Sequence, residues 1–313
     1  MKYYIGIDLG GTNIVAGVVD EEYNIVAKAS TKTNCPRPAK EIADDMARMA
    51  LQATKNANLT IDQIEWVGIG TPGIANSETG IVERASNLGL KNTPMVKYIQ
   101  ETINKPVFIE NDANAAAYGE YVAGAAKGAK NAVCITLGTG VGGGIIRGGK
   151  IVAGTNGAAG EIGHIPMIDD ESECCGCGKK GCLEQYASAN GLVNVAEKYI
   201  AAHRTVETEL DLNAGFTAKD VCDAAKAGDI AGLAAVEESM RLLGKAMASV
   251  SCVIDPQVFV VGGGLSKAGN IIIDTASKYY KEYAFHASRE TEIKLATLGN
   301  AAGMYGGVKM VIG

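Results

Sequence analysis

The sequence predicts an α/β protein in which a mixed sheet covered by helices occurs twice, with a cleft between the two copies. Two observations carry this. An apolar strand, a glycine turn and a second strand open the chain over residues 3–20 and recur over 132–147, and apolar strands alternate with helical periodicity elsewhere. The length agrees, since 313 residues allow one large or two medium domains, each able to bury its own core.

Tyr3 to Leu9 reads as a buried strand, Gly10-Gly11-Thr12-Asn13 turns the chain, and Ile14 to Asp20 returns antiparallel to it. Ile25 to Lys32 supplies a third strand. Ile42, Met46, Met49 and Ala50 recur at helical spacing, which makes Pro38 to Asn56 a helix. Val67 to Gly70, and Val107 to Glu110 after Pro106, are further buried strands, and an alanine-rich stretch from Ala113 to Ala126 follows. The second half repeats the scheme with strands at Ala132 to Leu137, Gly144 to Arg147 and Lys150 to Ala153 around the turn Gly138 to Gly144. Thr217 and Asp220 form a loose capping box for a helix ending at Ala227, and a second helical run from Asp229 to Val253 stops near Asp255-Pro256. Gln257 to Val261 is a buried strand that runs into Gly262-Gly263-Gly264. Ala301, Met304, Tyr305 and Val308 suggest a helix over 301–312, against which Gly303, Gly306 and Gly307 argue. The expected division is an N-terminal α/β domain, 1–120, with a C-terminal helix, 301–313, packing back on it, and a larger α/β domain, 121–300.

Composition narrows the function. Hydrophobic residues at 47% and charged residues at 20% are a globular balance that excludes a disordered chain. A net charge of −6 leaves no basic surface for coating a phosphate backbone, so no nucleic-acid partner is expected. The start carries no basic segment followed by an apolar core, and no stretch reaches the length of a membrane span, so a soluble cytoplasmic protein is expected. Of the eight cysteines, Cys174, Cys175, Cys177 and Cys182 crowd together at a spacing too local to staple a fold, which favours metal over disulfides.

Asp8-Leu9-Gly10-Gly11-Thr12-Asn13 places a carboxylate at a strand end ahead of residues that present amides and a hydroxyl, and Thr136 to Gly144 offers the same hardware. Two such loops could hold the phosphates of a nucleotide, since glycine lets successive amides converge on an anion; each taken alone is equally well a tight hairpin turn. Neither fits the GxxxxGK[ST] or GxGxxG pattern. Asn111-Asp112 follows a strand's carboxyl end, where α/β proteins place functional groups. Asp112 alone suits a helix N-cap; beside two phosphate loops it leads as general base for a hydroxyl attacking phosphorus.

His164 with Cys175, Cys177 and Cys182 makes a closed tetrahedral set suited to structural zinc, with Gly176, Gly178 and Gly181 letting the loop curl; redox thiols are the competing reading. Cys174 competes with Cys175 for a place in it. Glu161 and Glu184 flank the set and would be fixed at the rim of one pocket, able to hydrogen-bond the vicinal hydroxyls of a sugar. Either acid could equally be a solvated surface charge, or for Glu184 a favourable charge in a helix's first turn.

Together these segments, Asp8 to Thr12, Glu110-Asn111-Asp112-Ala113-Asn114-Ala115, Leu137 to Gly144, Glu161-Ile162-Gly163-His164 and Cys175 to Glu184, resemble the signatures of the ROK family (repressor, open reading frame, kinase), and within it the bacterial glucokinases. The resemblance covers essentially the whole chain. It implies two actin-like ATPase (ribonuclease H-like) domains around a central cleft, and ATP-dependent phosphorylation of the 6-hydroxyl of glucose with Mg²⁺ and a structural Zn²⁺. By position in the motifs, Asp112 is the catalytic base, and Asn87, Asn111, Glu161, His164 and Glu184 contact the sugar. His164 would use one ring nitrogen on zinc and the other on the sugar. Asp8, Gly10, Gly11, Thr12, Asn13, Gly138, Thr139 and Gly140 would face the phosphates, Asp8 from the Mg²⁺ side, with Gly263 and Gly264 against the adenosine. The family likeness further implies a homodimer or a tetramer.

Other classes fit less well. Sugar-responsive repressors of the family carry an added N-terminal helix-turn-helix domain, for which a first strand beginning at Tyr3 leaves no room. An actin-like filament protein has no use for Asn111-Asp112 beside a zinc-set sugar rim. Within enzymes, the runner-up is a kinase for another hexose: N-acetylglucosamine, N-acetylmannosamine, mannose or fructose. Trp66, Met240 to Met247, Cys134, Cys222 and Cys252 are read as core or interface packing, His203 and His286 lack metal-like companions, and Tyr279, Tyr280 and Tyr283 are read as a subunit contact.

Overall fold

The computed structural model describes residues 1–310; the last three positions of the C-terminal helix expected at 301–313 lie outside the described residues. Strands β1 (Tyr3–Leu9), β2 (Asn13–Asp20) and β3 (Ile25–Lys32) form an antiparallel series. After helix α1 (Ala39–Asn56), β4 (Ile64–Thr71) lies parallel to β1 on its other edge. A small antiparallel sheet follows, β5 (Ile74–Asn76), β6 (Ile81–Ala85) and β7 (Leu90–Thr93), which no periodicity in the sequence marks. Helix α2 (Met95–Gln100) then leads to β8 (Val107–Asn111), parallel to β4, and the chain turns at once into α3 (Asp112–Ala123). The order β3-β2-β1-β4-β8 is the mixed sheet expected. Alternation along β1 sends Ile5, Ile7 and Leu9 to the face covered by Ile42, Met46 and Ala50 of α1, a fully buried cluster.

The second sheet opens with β9 (Asn131–Leu137), β10 (Val141–Arg147) and the short β11 (Lys150–Ile151). Helices α4 (Glu184–Ala187), α5 (Ala189–Ala202), α6 (Ala218–Ala227) and α7 (Ile230–Ile254) precede β12 (Val258–Gly262). Helix α8 (Asn270–Tyr283) and β13 (Glu292–Leu295) complete the order β11-β10-β9-β12-β13, with β12 parallel to both its neighbours. Both halves of the capping box at α6 form, since Asp220 Oδ2 accepts the Thr217 N–H at 2.8 Å and Thr217 Oγ1 accepts the Asp220 N–H at 3.4 Å. Tyr280 is fully buried, edge-on to Phe259 at 5.5 Å, with its hydroxyl donating to the Ser288 carbonyl at 2.6 Å; it is core, which corrects its expected place at a subunit contact.

The final helix, α9 (Ala302–Lys309), follows a short 3₁₀ turn at Gly299–Ala301 and covers the opposite face of the first sheet, where Tyr4 and Val19 pack on Val308. Its glycines have a packing reason. A Cβ on Gly306 would lie 1.7 Å from the Ala115 carbonyl oxygen of α3, and one on Gly6 of β1 would lie 1.9 Å from the Met304 carbonyl oxygen. Backbone meets backbone there, and only glycine permits it.

The described residues form two compact units, the first comprising 1–128, 144–159 and 298–310, the second 129–143 and 160–297. This grouping differs from the expected division at 120 and 300. Residues 121–128 stay with α3 because buried Glu120 accepts the Ala125 N–H at 2.8 Å, and its other oxygen takes the Leu298 N–H at 2.8 Å. Residues 144–159 stay there because Gly144 packs on Ala113 and Ala117 of α3, and the Ile151 N–H donates to the Tyr118 hydroxyl at 3.0 Å. No helix among the described residues is long and apolar enough to cross a membrane.

Candidate active site

In the first unit, Asp8 sits near the end of β1, half-buried, with Gly303 of α9 so close that a Cβ there would lie 3.0 Å from the Asp8 carboxyl carbon. Burial, and then the charge of Asp112, lifts the Asp8 carboxyl to about 6. The two acids thus form a like-charged pair that favours a nearby cation. The adjoining turn is tight, for the Gly10 N–H donates to the Asn13 carbonyl at 2.9 Å and the Gly10 carbonyl accepts from Thr33 Oγ1 at 2.6 Å. The hairpin reading therefore holds for Gly10, whose amide is engaged inside the turn, while Gly11, Thr12 and Asn13 are exposed. Asn87 lies beside this loop, its Nδ2 3.5 Å from where a Gly11 Cβ would stand.

The cap of α3 belongs to Asn111 rather than Asp112. Asn111 Oδ1 accepts the N–H groups of Ala113 at 2.8 Å and Asn114 at 3.2 Å, and its Nδ2 donates to the Gly73 carbonyl at 2.9 Å. Asp112 is the first helical residue, with Oδ1 accepting the Ala113 N–H at 2.8 Å. Glu110 braces the turn, its Oε1 accepting from the Asn111 N–H at 2.9 Å and from Asn114 Nδ2 at 3.1 Å. The N-cap position is thus taken by Asn111, and Asp112 stands one residue inside the helix.

In the second unit, the ligand atoms of His164, Cys175, Cys177 and Cys182 all lie within 4.8 Å of one another, while Cys174 is exposed and outside the group. Cys175 Sγ is 3.7 Å from His164 Nδ1, and Cys177 Sγ is 3.6 Å from Cys182 Sγ. Gly181 adopts φ 72° and lies so close to the Ile168 carbonyl that a Cβ would stand 1.7 Å from its oxygen, which lets the loop fold back on residues 165–168. One imidazole and three thiols at these separations fit a tetrahedral zinc site. His164 turns its other nitrogen, Nε2, toward Glu161, 3.9 Å from Oε2. Glu184 opens α4 with Oε2 accepting the Val141 N–H at 2.9 Å, and Gly140 packs on that same carboxylate.

A cavity of about 530 Å³ lies wholly within this unit and gathers Gly138, Thr139 and Gly264 with Ala218, Cys222 and Leu265. Lys219, Lys226 and Lys267 also line it. Of the nucleotide residues expected within this unit, two do not line it: Gly140 is turned to Glu184, and Gly263, at φ 88°, packs on the backbone of Leu137. The sequence reading missed the contribution of α6 altogether, and no motif marks Ala218, Lys219 or Cys222, which reach the cavity only because α6 folds beside the turn after β12.

The family model described as ROK family matches residues 4–313. The chain is 39% identical over 313 residues to a glucokinase of Streptomyces coelicolor, covering 98% of this chain and 96% of that one. It is 38% identical over 309 residues to a glucokinase of Halalkalibacterium halodurans, covering 98% and 94%. Among solved structures, it resembles that of a ROK family glucokinase from Streptomyces griseus in complex with glucose and AMPPNP, at a TM-score of 0.81 and 35% identity over 98% of each chain. The α/β fold expected from the sequence, two mixed sheets with flanking helices, is shared with these proteins, and the chain belongs to the ROK family.

Proposed function

We propose that the chain is an ATP-dependent glucokinase that transfers the γ-phosphoryl group to the 6-hydroxyl of glucose. The observation that carries this is the Asn111-Asp112 pair: Asn111 caps α3, and Asp112 stands as a carboxylate at the helix start beside the phosphate-type loop of Asp8. Asp112 takes the proton of the 6-hydroxyl as its oxygen attacks phosphorus and the bond to the ADP oxygen breaks. The second unit supplies the sugar-binding groups Glu161, His164 and Glu184, and the cavity holds the nucleotide: apolar Ala218 and Leu265 suit a base, and Lys267 suits an anionic group, while Lys219 and Lys226 are paired with Asp223 of the same lining. Asn87 and Asn111, the latter with one amide hydrogen beyond its bond to Gly73, donate to sugar hydroxyls. Asp8 would hold Mg²⁺, which would supply charge neutralisation at the phosphates. Zn²⁺ on His164, Cys175, Cys177 and Cys182 is structural, because four protein ligands leave no position for substrate.

The eight free cysteines suit a reducing compartment, which supports a cytoplasmic setting. Tyr283 and Phe285 are exposed at the end of α8, apolar surface that a second copy would cover in a homodimer.

The test is a coupled phosphorylation assay with Mg·ATP against glucose, mannose, fructose, N-acetylglucosamine and N-acetylmannosamine. Turnover confined to glucose is expected. Turnover on another hexose alone moves the substrate and keeps the mechanism, and no sugar-dependent turnover in folded, zinc-loaded protein removes the kinase reading.

A further inference from the structure

We infer that Glu184 is a positioning residue that ties the glycine loop 138–144 to the metal cluster, so that the order of that loop, and with it nucleotide affinity, depends on the metal. The nucleotide half of this rests on the kinase reading; the loop half does not.

The tie is visible atom by atom. Oε2 of Glu184 accepts the Val141 N–H at 2.9 Å, and Oε1 lies 3.7 Å from the Sγ of Cys175, a member of the metal set. A Cβ on Gly140 would lie 2.2 Å from Oε2, so the carboxylate occupies the space that a side chain at 140 would fill. Glycine at 140 is thus required for the acid to reach the loop backbone, a demand separate from any approach of phosphate. A second bond holds the other end of the loop, where the Ala189 N–H donates to the Gly138 carbonyl at 2.8 Å.

Glu184 adjoins the metal set, on a segment whose Leu183 N–H also donates to the Ile165 carbonyl at 2.9 Å. Only Leu183, fully buried, separates it from Cys182, whose N–H donates to Gln185 Oε1 at 3.1 Å. Helix α4 spans only Glu184–Ala187, far too short to hold its own position in water. Bonds from a metal to Cys175 and Cys182 would hold the chain that leads into the acid, and the acid holds Val141.

Three preparations test this: metal-depleted wild type, and metal-loaded Glu184→Ala and Gly140→Ala. The readouts are hydrogen exchange at the Val141 amide, AMP-PNP affinity by calorimetry, and zinc per chain. Each preparation is expected to exchange Val141 faster by about tenfold or more and to bind AMP-PNP about tenfold more weakly, the size of one lost charge-assisted hydrogen bond. Both variants are expected to keep their zinc, and Glu184→Gln, which retains an acceptor oxygen, to recover most of the protection. Unchanged Val141 protection in any one of the three overturns the tie. Faster Val141 exchange in a protein that phosphorylates no sugar leaves the tie standing and removes the kinase reading; glucose turnover with Val141 protection unaltered does the reverse.

Discussion

The carboxyl of Asp8 carries the charge of Asp112 in its own titration: burial is the larger cause and Asp112 the second in lifting it to about 6. One acid sits near the end of β1 and the other opens α3, so the pairing is a product of the first sheet's topology.

Replacing Asp112 separates its two effects. In Asp112→Asn, kcat for glucose is expected to fall by about 10²- to 10⁴-fold with KM little altered, as removal of a general base does. The Asp8 midpoint, followed by carboxyl NMR, is expected to fall below its value of about 6 yet stay above the ordinary 3.8, because burial remains. Unaltered kcat takes the base role from Asp112.

Asp8 itself is expected to lower stability at neutral pH. Its folded-state pKa of about 6 exceeds the ordinary 3.8, so between these values the folded chain holds more protons than the unfolded one and stability declines as pH rises through the window. Above it the whole cost is present. Ligand-free Asp8→Asn is therefore expected to be more stable than wild type at pH 7.5 by about 2 kcal/mol, allowing for partial exposure, with the difference vanishing below pH about 4. Urea melts at several pH values check this, and a variant less stable than wild type at pH 7.5 contradicts it.

Metal content is a direct readout of the four-ligand set. Wild type is expected to carry one zinc per chain, and Cys182→Ser to lose most of it, with Tm lower by roughly 5 °C or more. Elemental analysis and calorimetry decide; full zinc occupancy in the variant would exclude Cys182 as a ligand.

The contact of α9 with α3 is equally specific. Gly306→Ala puts a carbon 1.7 Å from the Ala115 carbonyl oxygen, and the helices must separate. A loss of about 1–3 kcal/mol is expected by urea denaturation. Gly264→Ala, where a Cβ meets nothing within 4 Å, serves as comparison and is expected to stay within about 0.5 kcal/mol of wild type.

Features set by neighbours along the chain were legible in the residues. The turns at 10–13 and 138–140 follow from glycine between alternating apolar runs, and the four side chains that gather as a candidate metal set fall within nineteen positions, His164 to Cys182, so their type and spacing were enough. The capping box at Thr217 was legible for the same reason.

The sequence by itself therefore determined the strand–turn–strand openings, the candidate metal set and the acid at the start of α3, because each depends on local backbone preference or on ligand chemistry within one short segment. Only the tertiary structure decided which side chain does what. Asn111 became the cap while its Nδ2 reaches Gly73, Gly140 turned to Glu184 instead of the cavity, and α6 came to line that cavity beside Gly138. The glycines of α9 read as helix breakers when taken locally, yet they are what lets the helix lie backbone to backbone on β1 and α3. Such outcomes depend on the packing of segments far apart in the chain, where burial and steric contact outweigh local propensity.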